Sequence, residues 1–228
     1  LFLWKVLMKK ELAILVDGSF YQKRMYSLTD LKDPKSAVDF FIKYCYRHLK
    51  ADRYEEYSLY RIFYYDCPPS VKEVYHPLTK KVVKLRESDQ YKWMSEFLKE
   101  LKTRRKVALR LGRLSDNDVV YNLRPDITKK LLRGAISVED IKESDLYLSI
   151  GQKGVDMKLG VDIASLSYKK QVQKIVLIAG DSDFVPAAKL ARREGIDFVL
   201  DPLWNGINED LHEHIDGLKS CISKNGEK

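Results

Sequence analysis

The chain has 228 residues, room for one large domain or two small ones. Hydrophobic residues make up 45% and aromatics 11%, enough for a packed core, which excludes wholesale disorder. Lysine and arginine number 41 against 33 aspartate and glutamate, and the balance of +8 favours an anionic partner, nucleic acid before a membrane surface; a merely soluble basic protein is the plainer alternative.

The opening "LFLWKVLM" is apolar but short, and "KKE" follows it where a signal peptide would place small residues. Residues 1–9 are therefore expected to be an N-terminal extension, with Met8 as the natural start, ahead of one domain over residues 10–223. "LAILV" at 12–16 is continuously apolar, the pattern of a strand buried on both faces of a parallel sheet. "DPKSAVDFFIKYCYRHL" predicts a helix capped by Asp33, with Pro34 at its first position and Val38, Phe41, Ile42, Cys45 and Leu49 as its stripe. "YSLYRIFYYD" at 57–66 predicts a second strand, ended by "CPPS". A helix is expected over 89–102, where Trp93, Phe97, Leu98 and Leu101 align, and a strand over 106–114. Residues 115–152 mix charges with short apolar pieces, and the region around 67–150 is read as a partly stranded insertion.

Beyond it, Val155, Leu159, Ile163 and Leu166 keep helical spacing. "KIVLIAG" predicts a strand, "FVPAAKLARREG" a helix stopped by Gly195, and "IDFVL" a strand. A closing helix is expected over 208–222, with Leu211, Ile215, Leu218 and Ile222 as its stripe. Alternating strands and helices imply an α/β sandwich with a mainly parallel sheet, and such sheets bind ligands beyond the carboxyl ends of their strands. Cys45, Cys67 and Cys221 are odd in number and far apart, which argues against a disulfide framework or zinc knuckle and fits a reducing, cytoplasmic compartment. No apolar run approaches the roughly 20 residues of a membrane span, so no membrane partner is expected. Homo-oligomerisation stays open.

Acids end the predicted strands: Asp17 after "LAILV", Asp66 after "RIFYY", Asp181 and Asp183 after "IVLIAG", and Asp201 after "IDFVL". Asp156 begins a helix, where the dipole favours an anion. Crowded carboxylates raise one another's pKa, and an oxygen-only set without histidine or cysteine suits Mg²⁺ or Mn²⁺ over zinc. Such an ion would suit phosphodiester hydrolysis. Asp183 or Ser182 also serves as a candidate N-cap, and Asp66 and Asp201 are more simply turn residues. Asp162 lies about 120° around the helix from Asp156 and is expected to face another element.

"ILVDGSF", "KGVDMKLGVDIASL" and "IVLIAGDSDFVPAAKLARREG" resemble, in order and spacing, the three signature blocks of NYN domains, of the LabA-like branch of the PIN-like nuclease superfamily. The resemblance implies a PIN-like three-layer α/β/α fold and a metal-dependent ribonuclease site. Asp17, Asp156 and Asp181 would be the core metal carboxylates and Asp183 a fourth. Phe20 stands where many members carry asparagine. Candidate substrate contacts are Ser19, Ser182 and Lys153, the last within the glycine-flanked "GQKG", together with Arg104, Arg105 and Lys106 of a basic run that a solvated face explains as well. The dense tyrosines of 54–65 are mostly explained by a buried strand. His212 and His214 lie about 200° apart on a helix and cannot share an ion there. The reading is a divalent-metal-dependent nuclease, RNA favoured. Its alternatives are a nucleic-acid-binding scaffold of the same fold with little catalysis, and a phosphatase of small phosphate esters.

Overall fold

In a computed structural model, residues 10–50 and 55–226 are described, with side chains at all of these except 116–118. The expected N-terminal extension and Tyr54 lie outside the described residues. The strands are β1 (Lys10–Asp17), β2 (Tyr57–Asp66), β3 (Glu73–Tyr75), β4 (Val82–Lys84), β5 (Val107–Leu111), β6 (Arg113–Leu123), β7 (Leu146–Lys153), β8 (Lys174–Ile178), β9 (Asp197–Asp201) and β10 (Gly217–Leu218). The helices are α1 (Gly18–Leu28), α2 (Pro34–Leu49), α3 (Asp89–Lys102), α4 (Pro125–Leu132), α5 (Val155–Tyr168), α6 (Val185–Arg193) and α7 (Glu209–Glu213).

Leu12 to Val16 are fully buried and place β1 inside a sheet ordered β10-β9-β8-β1-β2-β5, in which every neighbouring pair runs parallel. Alternation along each strand divides the core between two faces. Leu12, Ile14, Val16, Ile62 and Tyr64 pack with Tyr21, Phe41, Tyr44 and Phe97 of α1, α2 and α3. Ala13, Leu15, Phe63 and Tyr65 pack with Leu159, Ile163 and Ala188 of α5 and α6. The result is a three-layer α/β/α sandwich, as expected. The expected stripes explain it: Val38, Phe41 and Cys45 of α2 are fully buried, as are Leu159 and Ile163 of α5. Asp33 caps α2 by accepting from Ser36 N at 2.7 Å, and Pro34 opens the helix. Among the described residues no helix is long and apolar enough to cross a membrane.

Residues 18–28, to which the sequence pattern assigns no element, form α1 and bury Tyr21, Met25 and Leu28 at helical spacing. Within 67–150, α3 packs on α2 and β5 extends the sheet beside β2. The hairpins β3–β4 and β6–β7 are antiparallel and stand apart from that sheet.

The long closing helix does not form. α7 ends at Glu213, and the chain turns along the edge of β9 instead. Asp216 N donates to Phe198 O at 2.8 Å, Lys219 N donates to Leu200 O at 2.9 Å, and the Asp216 carboxylate accepts from Phe198 N at 2.9 Å. These bonds satisfy backbone groups of a sheet edge, which a helix cannot do. Leu211 and Ile222, expected on one stripe, therefore enter the cores on opposite faces of the sheet.

Candidate active site at the carboxyl ends of the strands

Parallel pairing brings the strand ends to one rim. Asp17 pairs in register with Tyr65, next to Asp66, and Val16 pairs with Ile178, just before Gly180 and Asp181. Odd-numbered β1 residues face α5 and α6, so Asp17 ends its strand on the side where Asp156 opens α5 and Asp181 precedes α6. Asp17 is also the N-cap of α1: its Oδ1 accepts from Phe20 N at 3.1 Å and from Ser19 Oγ at 3.0 Å. Asp181 Oδ1 accepts from Asp183 N at 3.1 Å and caps the 3₁₀ turn Ser182–Phe184. The cap expected of Asp183 or Ser182 thus belongs to Asp181, because its strand-end backbone is still extended.

Burial raises the Asp156 pKa, and the charges of Asp17, Asp181 and Asp183 raise it further. Asp17 is raised chiefly by burial, against its bonds to Phe20 and Ser19, with a contribution from Asp181. Acids from three separate segments therefore repel one another across this rim. Asp66 joins them, although a plain turn role is the simpler reading of its sequence. Burial pushes its carboxyl up to about 6, against bonds from Cys67 N and Tyr64, and Asp17 adds to the rise. Asp66 Oδ2 also accepts from Gln22 Nε2 at 3.3 Å, a neighbour the sequence does not announce.

Two glycines make the crowding possible. A Cβ on Gly18 would lie 2.5 Å from Asp66 Oδ2 and 2.6 Å from Tyr64 Cζ. A Cβ on Gly180 would meet the Phe20 ring at 2.5 Å, so Phe20 packs across the end of β8.

The donors of Asp17, Asp156, Asp181 and Asp183 are all carboxylate oxygens, a set that fits a hard divalent cation. Among the described residues, the group whose ligand atoms all lie within 4.8 Å is Asp210, Glu213 and His214 on α7; the rim carboxylates stand further apart. That group is a surface contact at the end of α7, His214 Nε2 to Asp210 Oδ1 at 3.4 Å, with an acid beside it.

Asp201 is not at the rim. Even-numbered side chains of β1 and odd-numbered ones of β9 share the α1–α2 face, so Asp201 turns into that core and is fully buried. It accepts from Tyr44 Oη, from Leu203 N at 2.9 Å and from Ser220 Oγ at 2.6 Å, and pairs with His48 Nε2 at 2.9 Å. This network ties the C-terminal segment to α2. Asp162 is likewise engaged elsewhere, as its angle on α5 suggests: Arg110 Nε and Tyr65 Oη each donate to its Oδ2 at 2.8 Å.

With this geometry in place, the NYN domain family matches residues 71–211, more than half of the chain. The chain belongs to the NYN domain family. The matched NYN segment contains Asp156, Asp181 and Asp183, while Asp17 and Asp66 lie upstream of it. No curated protein matches the chain. Among solved structures, a Vibrio parahaemolyticus protein of unknown function is similar at 14% identity, with 95% of each chain covered and a TM-score of 0.45.

The basic run of the NYN chain falls at the far end of the sheet. Arg104, Arg105 and Lys106 precede β5, whereas the acids follow the strands, and a five-residue strand separates the two ends by about 16 Å. Arg104 is held by Glu100 at 2.6 Å and Asp39 at 2.7 Å, and Lys106 Nζ donates to Leu59 O. Arg104 and Lys106 thus clamp the strand's entry, and all three basic residues lie away from the rim. Lys153 ends β7 immediately before Gly154, whose left-handed backbone (φ 80°) turns the chain into α5 and Asp156. Ser19 lines a cavity of about 520 Å³ that also takes in Asp66, Gln22, Lys23 and Gln152.

Proposed function

We propose that this NYN domain, of the LabA-like kind, is a divalent-metal-dependent nuclease that hydrolyses phosphodiester bonds, with RNA as its substrate. The observation that carries this reading is that Asp17, Asp181 and Asp183 lie near enough to Asp156 for their charges to add to burial in raising its pKa, so that acids from three separate segments share one rim. Membership of a PIN-like nuclease family and the net charge of +8 support the same class of substrate.

In this reading Asp17, Asp156 and Asp181 hold Mg²⁺ or Mn²⁺, and Asp183 supports it. The bound ion would supply Lewis acidity, easing ionisation of the attacking water and shielding charge on the phosphate. The chain does the positioning. Ser19 Oγ and Phe20 N fix one oxygen of Asp17, leaving its other oxygen for the ion. Asp183 N does the same for Asp181, and the first turn of α5 presents Asp156 where the helix dipole favours an anion. Lys153 and Ser182 flank the acids and hold the phosphate, and Lys23 at the cavity wall attracts the strand.

The test is cleavage of a labelled single-stranded RNA in Mn²⁺ against EDTA, with Asp17→Asn and Asp156→Asn alongside wild type. Cleavage should require the ion and fall at least 100-fold in each variant. A second readout is thermal: a ligand of the native state adds about 2.7 kcal/mol at ~100 Kd, so Mn²⁺ should raise Tm in wild type and much less in Asp156→Asn. RNA binding without ion-dependent cleavage would replace the nuclease with a binding scaffold.

A further inference from the structure

Beside the rim lies a hollow that hydrolysis itself does not use. It has a volume of about 440 Å³, and Tyr21, Met25, Tyr26, Trp93 and Phe97 of α1 and α3 line it. Gln22, Gln90 and Trp93 line both this hollow and the 520 Å³ cavity that holds Ser19 and Asp66, so the two adjoin through shared walls. We infer that the hollow is a base-binding subsite, which takes one unstacked nucleobase of a single-stranded nucleic acid whose backbone runs past Asp66 to the acid rim. The path of that backbone rests on the nuclease reading; the base site does not.

The wall has the chemistry of a stacking platform. Trp93 is pinned, because its indole N–H donates to Lys32 O at 2.7 Å and Phe97 stacks on it at 5.1 Å with the planes 11° apart. A ring already fixed loses little freedom when a base adds to the stack. Tyr26 is 90% exposed at the wall of the same hollow. A large aromatic left in water beside an apolar hollow is suited to covering a bound ring.

Polar groups are present as well. Gln22 Nε2 donates to Tyr64 Oη at 2.7 Å and approaches Asp66 Oδ2 at 3.3 Å, which orients its amide and leaves Oε1 to accept from a ligand. Gln90 is exposed between the two cavities. Amides of this kind hydrogen-bond the Watson–Crick edge of a splayed base, and duplexes do not present that edge. Lys23 borders the rim cavity and Lys32 the hollow, so a cation stands near either end of the path for a phosphate. An apolar peptide would use the aromatic wall but would not need the amides or the adjoining acid cavity.

The test uses the full chain in EDTA, so that nothing is cut. Fluorescence anisotropy compares a labelled single-stranded RNA with a strand of equal length whose central positions are abasic. Wild type should bind the base-bearing strand roughly tenfold tighter, the scale of one stacked base. Tyr26→Ala and Gln90→Ala, both at exposed positions that the fold does not need, should remove most of that preference and leave abasic binding unchanged. Equal binding of the two strands by wild type would overturn the subsite, as would variants that keep the full preference. Loss of ion-dependent cleavage with base preference intact would sink the nuclease reading alone. Normal cleavage without base preference would sink the subsite alone.

Discussion

Replacing Asp66 by asparagine should stabilise the protein at neutral pH. Asp66 is only 4% exposed, and burial with the Asp17 charge moves its carboxyl from 3.8 to about 6. The folded state therefore binds this proton more tightly than the unfolded chain does. Below 3.8 the group carries no penalty; as pH rises through about 6, stability is lost. The distance from 3.8 to about 6 amounts to about 3 kcal/mol at pH 7.5. Asparagine keeps one oxygen to accept from Cys67 N, now at 2.7 Å, but its amide nitrogen can accept from neither Gln22 nor Tyr64, a loss of about 1 kcal/mol. The net expectation for Asp66→Asn is about 2 kcal/mol of added stability at pH 7.5 and little or none at pH 4.5. Urea unfolding in EDTA at the two pH values measures both. A variant less stable than wild type at pH 7.5, or a difference that does not change with pH, would refute the claim that this acid is held against its own electrostatics.

The His48–Asp201 pair should also lose stability as pH rises, but because its charged form is the favoured one. Burial pushes the His48 imidazole down, but its bonds to Asp201 and Cys221 outweigh that and hold it at about 9, against 6.5. The charged form then contributes about 3 kcal/mol, fully present below 6.5 and lost as pH rises through about 9. His48→Gln should therefore cost far more stability at pH 6 than at pH 9.5; an equal cost at both would count against the buried pair. Gly18→Ala should lower stability by about 1–3 kcal/mol, because its Cβ must displace the Asp66 carboxylate or the Tyr64 ring. Chemical denaturation reads this directly, and a neutral alanine would mean that neither group is fixed.

Much of the sheet was legible because its strands are buried on both faces. "LAILV" and "KIVLI" have no polar alternation to misread, and the acids that end them were visible as strand-end residues. The stripes of α2, α3 and α5 were legible for a similar reason, since each helix has one face to bury. Less of the candidate site could be read. Asp66 looked like a turn acid, and Asp201 shared its pattern. The two share a face of the sheet, so which of them approaches the rim depends on which strand it ends: β2 pairs directly with β1, whereas β9 lies beyond β8. Asp66 sits beside Asp17 across a Cβ-free Gly18, while Asp201 turns into the α1–α2 core against Tyr44 and His48.

Local sequence, then, determined where strands and helices begin, because periodicity and capping act over a few residues. It determined that acids follow apolar strands, and hence the chemistry a common rim would have. Tertiary structure decided which groups share that rim. It placed Arg104, Arg105 and Lys106 at the opposite end of β5, and drew residues 216–219 along the edge of β9 in place of a helix. These outcomes depend on parallel register and on an open sheet edge, which are set by pairings between segments far apart in the chain and leave no periodic trace in either partner alone.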